Sequence, residues 1–185
     1  YKDLNVDFDL WEGESDNFEY MEELFKYLYD KKMITKSEGA EVIEVKEETD
    51  KKEIPPLMLI KSNKAVSYEA TDLAAIWERV HKYNPDEIWY IVDKRQELHF
   101  TQVFRASIKS GITTSDTKLI FNGFGTMNGP DGKPFKTRDG GVMPLKTLLD
   151  NVTEVCEARI MESITEKRNE IAKTIAVAAI KYADL

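Results

Sequence analysis

The chain has 185 residues, of which 42 % are hydrophobic and 10 % aromatic, enough for one sizeable core or one domain with a small appendage. Its formal charge of −8 argues against a general nucleic-acid binder, whose footprint is a strong basic excess, and leaves room only for a local basic site. No apolar run approaches membrane-spanning length, and the single Cys156 cannot form an internal disulfide and fits a reducing compartment, so a cytoplasmic protein with no membrane partner is expected.

Residues 1–54 read as a small unit of their own. Asn17 is a candidate cap, and Phe18, Met21, Leu24, Phe25 and Leu28 recur at helical spacing, predicting a helix that ends near Lys31 and Lys32. Val42 to Val45 reads as a short strand, and the charged run Glu47 to Glu53 as a solvated turn. From Pro55 strands and helices alternate. Leu57 to Ile60 is an apolar strand, and Thr71 a candidate cap for a helix carrying Leu73, Ala74, Ile76, Trp77 and Val80. Ile88 to Val92 is a near-continuous apolar run, as in a strand buried on both faces. A helix from about Gln96 to Lys109 is closed by Gly111, and Lys118 to Phe121 forms the next strand. Leu145, Leu148, Leu149 and Val152 open a helical last third, whose final helix is capped at Thr165. The order predicts an α/β fold with a parallel sheet and right-handed crossovers, in which ligands bind beyond the carboxyl ends of the strands.

Five of the nine glycines fall between Phe124 and Gly141, around Lys133, Lys136 and Arg138. Such a loop can fold closely over an anion, with cations meeting phosphate or carboxylate oxygens. The segment Asn128-Gly129-Pro130-Asp131-Gly132 equally suits a tight turn with solvated lysines, and neither common phosphate-loop fingerprint is present. Tyr68 and Asp72 are four apart and share a face if their helix starts early, where a carboxylate and a phenol can grip a guanidinium. Alternatively Asp72 simply favours the positive end of its helix. His99 can serve as a base or phosphate ligand, although a lone histidine before a phenylalanine reads more simply as a packed structural residue. His81 suits a helix end, and Cys156 has no partner at metal-ligand spacing, so no metal site is expected.

Seven stretches, in order, resemble arginyl-tRNA synthetase of the class I, bacterial type. They are Phe8-Asp9-Leu10-Trp11-Glu12-Gly13-Glu14-Ser15, Tyr68-Glu69-Ala70-Thr71-Asp72-Leu73-Ala74, Asp93-Lys94-Arg95-Gln96 with His99, Phe124-Gly125-Thr126-Met127, Gly132-Lys133-Pro134-Phe135-Lys136-Thr137-Arg138-Asp139-Gly140, Leu148-Leu149-Asp150 and Ala179-Ile180-Lys181-Tyr182-Ala183-Asp184-Leu185. The resemblance implies ATP-dependent activation of L-arginine to arginyl-adenylate and transfer to tRNA(Arg). ATP, accompanied by Mg2+, is then a substrate, and no tightly bound cofactor is expected. Tyr68, Asp72 and Gln96 match the arginine contacts. Gly125, Met127, Lys133, Lys136, Thr137 and Arg138 match the ATP-closing loop, with Lys136 and Arg138 in the catalytic role of neutralising phosphate charge. The implied layout is an insertion over 1–54, the second half of a Rossmann-type catalytic domain over 55–150 with its signature loop at 124–141, and a helical segment over 151–185 leading to an anticodon-binding domain.

The chain departs from the family in lacking the His-Ile-Gly-His signature, and it begins at Tyr1 rather than Met. It is therefore expected to be an internal fragment, inactive alone, of a parent expected to be monomeric. Two rival readings stay open: a non-catalytic α/β module that binds a nucleotide or a protein, and another adenylate-forming α/β enzyme.

Overall fold

The structure is a computed structural model; it describes residues 1–125, 132, 143–160 and 167–184. In chain order its elements are α1 (Met21–Asp30), β1 (Thr35–Ser37), β2 (Ala40–Ile43), β3 (Leu57–Ile60), α2 (Tyr68–Tyr83), β4 (Glu87–Asp93), α3 (Glu97–Ser110), β5 (Lys118–Phe124), α4 (Leu145–Arg159) and α5 (Arg168–Asp184). They form two units, Trp11–Gly123 and a second made of Tyr1–Leu10 with Phe124–Leu185.

Within Trp11–Gly123, β2 is the centre of an antiparallel sheet, flanked by β1 and β3. The strand at Leu57–Ile60 therefore joins its predecessor in sequence, while β4 and β5 pair in a separate sheet. The β4–β5 pair is parallel. The Lys118 N–H at the start of β5 donates to the Asp86 carbonyl just before β4 (2.8 Å), and Gly123 near the end of β5 lies against the backbone of Lys94 just after β4. Helix α3 makes the connection, as a parallel pair requires.

Ser67 settles where α2 begins. Its N–H donates to the Leu59 carbonyl (2.9 Å), its hydroxyl donates to the Met58 carbonyl (2.6 Å), and the same oxygen accepts from the Ala70 N–H (3.2 Å). The cap is thus Ser67, not Thr71: the Thr71 hydroxyl lies inside the first turn and donates to the Tyr68 carbonyl (2.6 Å). Both residues are good caps by type; the early start wins because Ser67 also closes onto β3. Asn17 likewise is no helix cap. It lies in a 3-10 turn, Glu14–Tyr20, and α1 starts after it. Gly111 closes α3 in the left-handed region (φ 74°), its N–H donating to the Ile108 carbonyl (3.0 Å).

One core collects Leu24 and Leu28 from α1, Ile43, Leu57 and Leu59 from β2 and β3, Leu73 and Ile76 from α2, Tyr90 from β4 and Val103 from α3. The near-continuous apolar run of β4 alternates instead of being buried throughout. Ile88 and Tyr90 enter the core, whereas Trp89 is 55 % and Ile91 58 % exposed. In this unit the helices cover one face of the β4–β5 pair, so the strand's period of two divides its apolar residues. The charged run Glu47 to Glu53 is more than a solvated turn. Arg105 on α3 reaches across to Asp50 with two hydrogen bonds (2.8 and 2.7 Å) and lies 3.5 Å from Glu47. In the other unit α4 and α5 lie against one another, Ala172, Ala176 and Ile180 are buried, and the Glu157 carbonyl accepts from Arg168 (3.0 and 2.7 Å). Thr165 lies outside the described residues.

Two predictions follow from the packing of Trp11–Gly123. A methyl group at Gly123 would sit 2.9 Å from the Lys94 Cα, closer than backbone tolerates. Gly123→Ala should therefore destabilise the protein by about 1–3 kcal/mol, read by denaturant melts. The Arg105 hydrogen bonds, followed by the Glu47 N–H, hold the Asp50 carboxyl down to about 2 from a usual 3.8. The folded state thus binds fewer protons, and this contribution is complete above about pH 4 and lost as pH falls toward 2. Asp50→Asn should lower the melting temperature at pH 7 and lessen its fall between pH 5 and 2; an acid profile parallel to the parent's would refute the role.

Candidate substrate-binding site

The first turn of α2, the segment after β4 and residues 12–13 meet around a cavity of about 360 Å³. The early start of α2 places Tyr68 and Asp72 one turn apart on the same face, and both line the cavity. Gln96 lines it from the 3-10 turn Lys94–Gln96 that follows β4. That turn is itself anchored. The Asp93 carboxylate accepts from the Arg95 N–H (2.8 Å) and from its guanidinium (2.9 and 2.5 Å), and Arg95 holds the Asp93 carboxyl down to about 2.

The sequence-named trio is therefore gathered in one place, and four further groups join it. Asp72, 29 % exposed, has its Oδ2 2.6 Å from the Nε2 of buried His99. The Tyr68 ring, half exposed, stacks on the His99 ring with centroids 4.6 Å apart. Arg79, two turns along α2 from Asp72, donates to the Tyr90 hydroxyl (2.8 Å) and lies over its ring at 5.4 Å. Glu12 accepts from Lys82 and from the Tyr83 hydroxyl, both at 3.3 Å, which holds the 12–13 segment against α2. Burial pushes the Tyr90 phenol up to about 12, and burial followed by Glu69 and Asp72 pushes the Tyr68 phenol up as well, so both remain neutral donors near pH 7.

Two carboxylates, Asp72 and Glu12, and one guanidinium, Arg79, line the cavity, a formal balance of −1. With a phenol and a carboxamide beside Asp72, the wall can hold a planar cation by charge-assisted hydrogen bonds. Glu12, Arg79 and Tyr90 were not picked out from sequence. Arg79 resembles any surface charge on a helix, and Tyr90 any core residue of an apolar strand; only the tertiary fold turns them to a common space. Met127, Lys133, Lys136, Thr137 and Arg138 lie outside the described residues. Gly125 is exposed, with open space where a side chain would be. Among the described residues no three His, Cys, Asp or Glu side chains gather as a metal-ligand group, and no helix is long and apolar enough to cross a membrane.

Comparison with known proteins identifies the family. The family described as "tRNA synthetases class I (R), catalytic domain" matches residues 1–185, and the chain belongs to that family. It is 48 % identical over 194 residues to an arginine–tRNA ligase of Agathobacter rectalis and 47 % identical over 188 residues to one of Alkaliphilus oremlandii. In each case the match covers 100 % of this chain and 32 % of the relative, so the chain spans about a third of the length of these proteins. The fold is similar to the solved arginyl-tRNA synthetase of Plasmodium falciparum, with a TM-score of 0.79 and 24 % identity over 98 % of this chain and 30 % of that one. It is also similar to that of Thermus thermophilus, with a TM-score of 0.68 and 18 % identity over 98 % of this chain and 36 % of that one.

Proposed function

We propose that this chain supplies the amino-acid half of the active site of an arginine–tRNA ligase, a cytoplasmic, monomeric enzyme. The reaction joins the arginine carboxylate to the α-phosphate of ATP with release of pyrophosphate, then passes the arginyl group to tRNA(Arg) with release of AMP. The observation that carries the reading is the convergence of Tyr68, Asp72 and Gln96 on one cavity of net negative charge. In it the Asp72 carboxylate is the counter-charge of the substrate guanidinium, the Tyr68 hydroxyl adds a directional hydrogen bond, and Gln96 holds another polar part of the substrate. Recognition then rests on matched polar groups, and a substrate lacking the guanidinium leaves the Asp72 charge without its counter-charge.

In this proposal the loop 124–141 closes over ATP. Lys136 and Arg138 neutralise the charge that develops on the phosphates as pyrophosphate departs, with Lys133 and Thr137 as further contacts and the backbone at Gly125 and Met127 against the adenine. Mg2+ travels with the ATP phosphates, and no residue of this chain is assigned to it. The layout over 1–54, 55–150 and 151–185 belongs to the same proposal. The missing His-Ile-Gly-His segment is the other half of the ATP site.

Two measurements test this. In the full-length ligase, Asp72→Ala should raise the KM for arginine roughly 10- to 100-fold, the worth of hydrogen bonds to a charged group, with the KM for ATP nearly unchanged. A rise in the ATP KM at constant arginine KM would contradict the assignment. The 185-residue chain by itself should give no arginine-dependent pyrophosphate exchange, and robust exchange by it would overturn the half-site reading.

A further inference from the structure

One side chain touches both residues to which guanidinium recognition is assigned, and it comes from a different helix. His99, in the first turn of α3, is 8 % exposed. Its Nε2 lies 2.6 Å from Asp72 Oδ2, one ring face stacks on Tyr68 (4.6 Å, 26°), and the ring meets Phe100 edge-on (4.8 Å, 77°). Its Nδ1 is buried with no hydrogen-bond partner among the described residues.

That asymmetry selects a tautomer. An ionised carboxylate only accepts, so the proton belongs on Nε2, where it is donated to Asp72. A second proton on Nδ1 would be a buried donor with nothing to receive it, which is costly. Donated from Nε2, the proton gives the Asp72 carboxylate a fixed direction.

From this geometry we infer that His99 is a positioning residue for the cationic end of the substrate: its Nε2–H fixes the Asp72 carboxylate, and its ring face holds the Tyr68 phenol. The inference rests on the reading of Asp72 as the counter-charge of arginine. It also gives a use to a histidine that otherwise looks like ordinary core packing. Specificity for arginine is then set jointly by the first turns of α2 and α3, so a change in the packing of either helix is felt at the guanidinium.

The test uses amide replacements in the full-length ligase. A glutamine amide nitrogen can reach the position of Nε2, whereas an asparagine amide stops near that of Nδ1. His99→Gln should keep the KM for arginine within about threefold of the parent enzyme, and His99→Asn should raise it roughly tenfold or more, both with the ATP KM within about twofold. Equal arginine KM values for the two variants, or a shift in the ATP KM alone, would overturn the inference. Asp72→Ala measured alongside separates the two levels. If it leaves the arginine KM unchanged, the reading of the cavity itself fails. If it raises that KM while the two His99 variants coincide, only the positioning role fails. Should His99→Asn not fold, nitrogen NMR of histidine-labelled enzyme decides, with the His99 signals identified by their loss in His99→Gln. A protonated Nε2 supports the role, and an Nε2 without its proton overturns it.

Discussion

The junction at Ser67 governs how the cavity is built. Three hydrogen bonds converge on this buried residue, two to the β3 carbonyls of Met58 and Leu59 and one from the Ala70 N–H. They fix both the end of the strand and the first residue of the helix. A helix started at Thr71 would leave Tyr68 in irregular backbone, and the one-turn relation between Tyr68 and Asp72 would not exist. A serine suits the place because its hydroxyl can donate and accept at once, and it is small enough to be buried between the two elements.

Electrostatics in the cavity depend on how each charge is already engaged. Glu12 is shared with Lys82 and Tyr83, and Glu78, Tyr83 and Glu12 together hold the Lys82 ammonium above its usual range. Arg79 is turned toward Tyr90 by a hydrogen bond and by the ring face. Asp72 meets the His99 imidazole, on which the Tyr68 ring stacks, so its hydrogen-bond partner is neither a lysine nor an arginine. Selectivity for a cation can thus arise in a cavity that contains a guanidinium of its own.

Much of the local structure was legible in the sequence. The helical spacing of Leu24 and Leu28, the closure of α3 at Gly111 and the strand leading into the glycine-rich loop all depend on near neighbours along the chain. What escaped was long-range. Thr71 reads as the cap in the sequence, and Ser67, four residues earlier, is the cap because it also bonds to β3. The grip of Arg105 on Asp50 spans 55 positions, so the run around Asp50 read as solvent-facing. The half-exposed strand β4 looked buried throughout, because apolar residues on two faces give the same run whether one face or both are covered. In the cavity, Tyr68 and Asp72 are candidates from their spacing, and together with Gln96 they match arginine contacts through a resemblance; their gathering in space is a property of the fold. His99 was visible as a residue; its contacts with Tyr68 and Asp72 lie on another helix and have no signature in its own neighbourhood.

The open face of β4 has a consequence for the chain as a colloid. Trp89 and Ile91 stand exposed on the same side of a two-stranded sheet, and exposed apolar side chains of this kind favour association. Opposing it is the net charge of −8, whose repulsion reaches about 10 Å at 0.1 M salt and about 3 Å at 1 M. Solubility is therefore a contest between a short-ranged attraction that salt leaves intact and a longer-ranged repulsion that salt removes. The acidic composition that disfavours nucleic acid as a general partner also keeps this sheet face apart from its own copies.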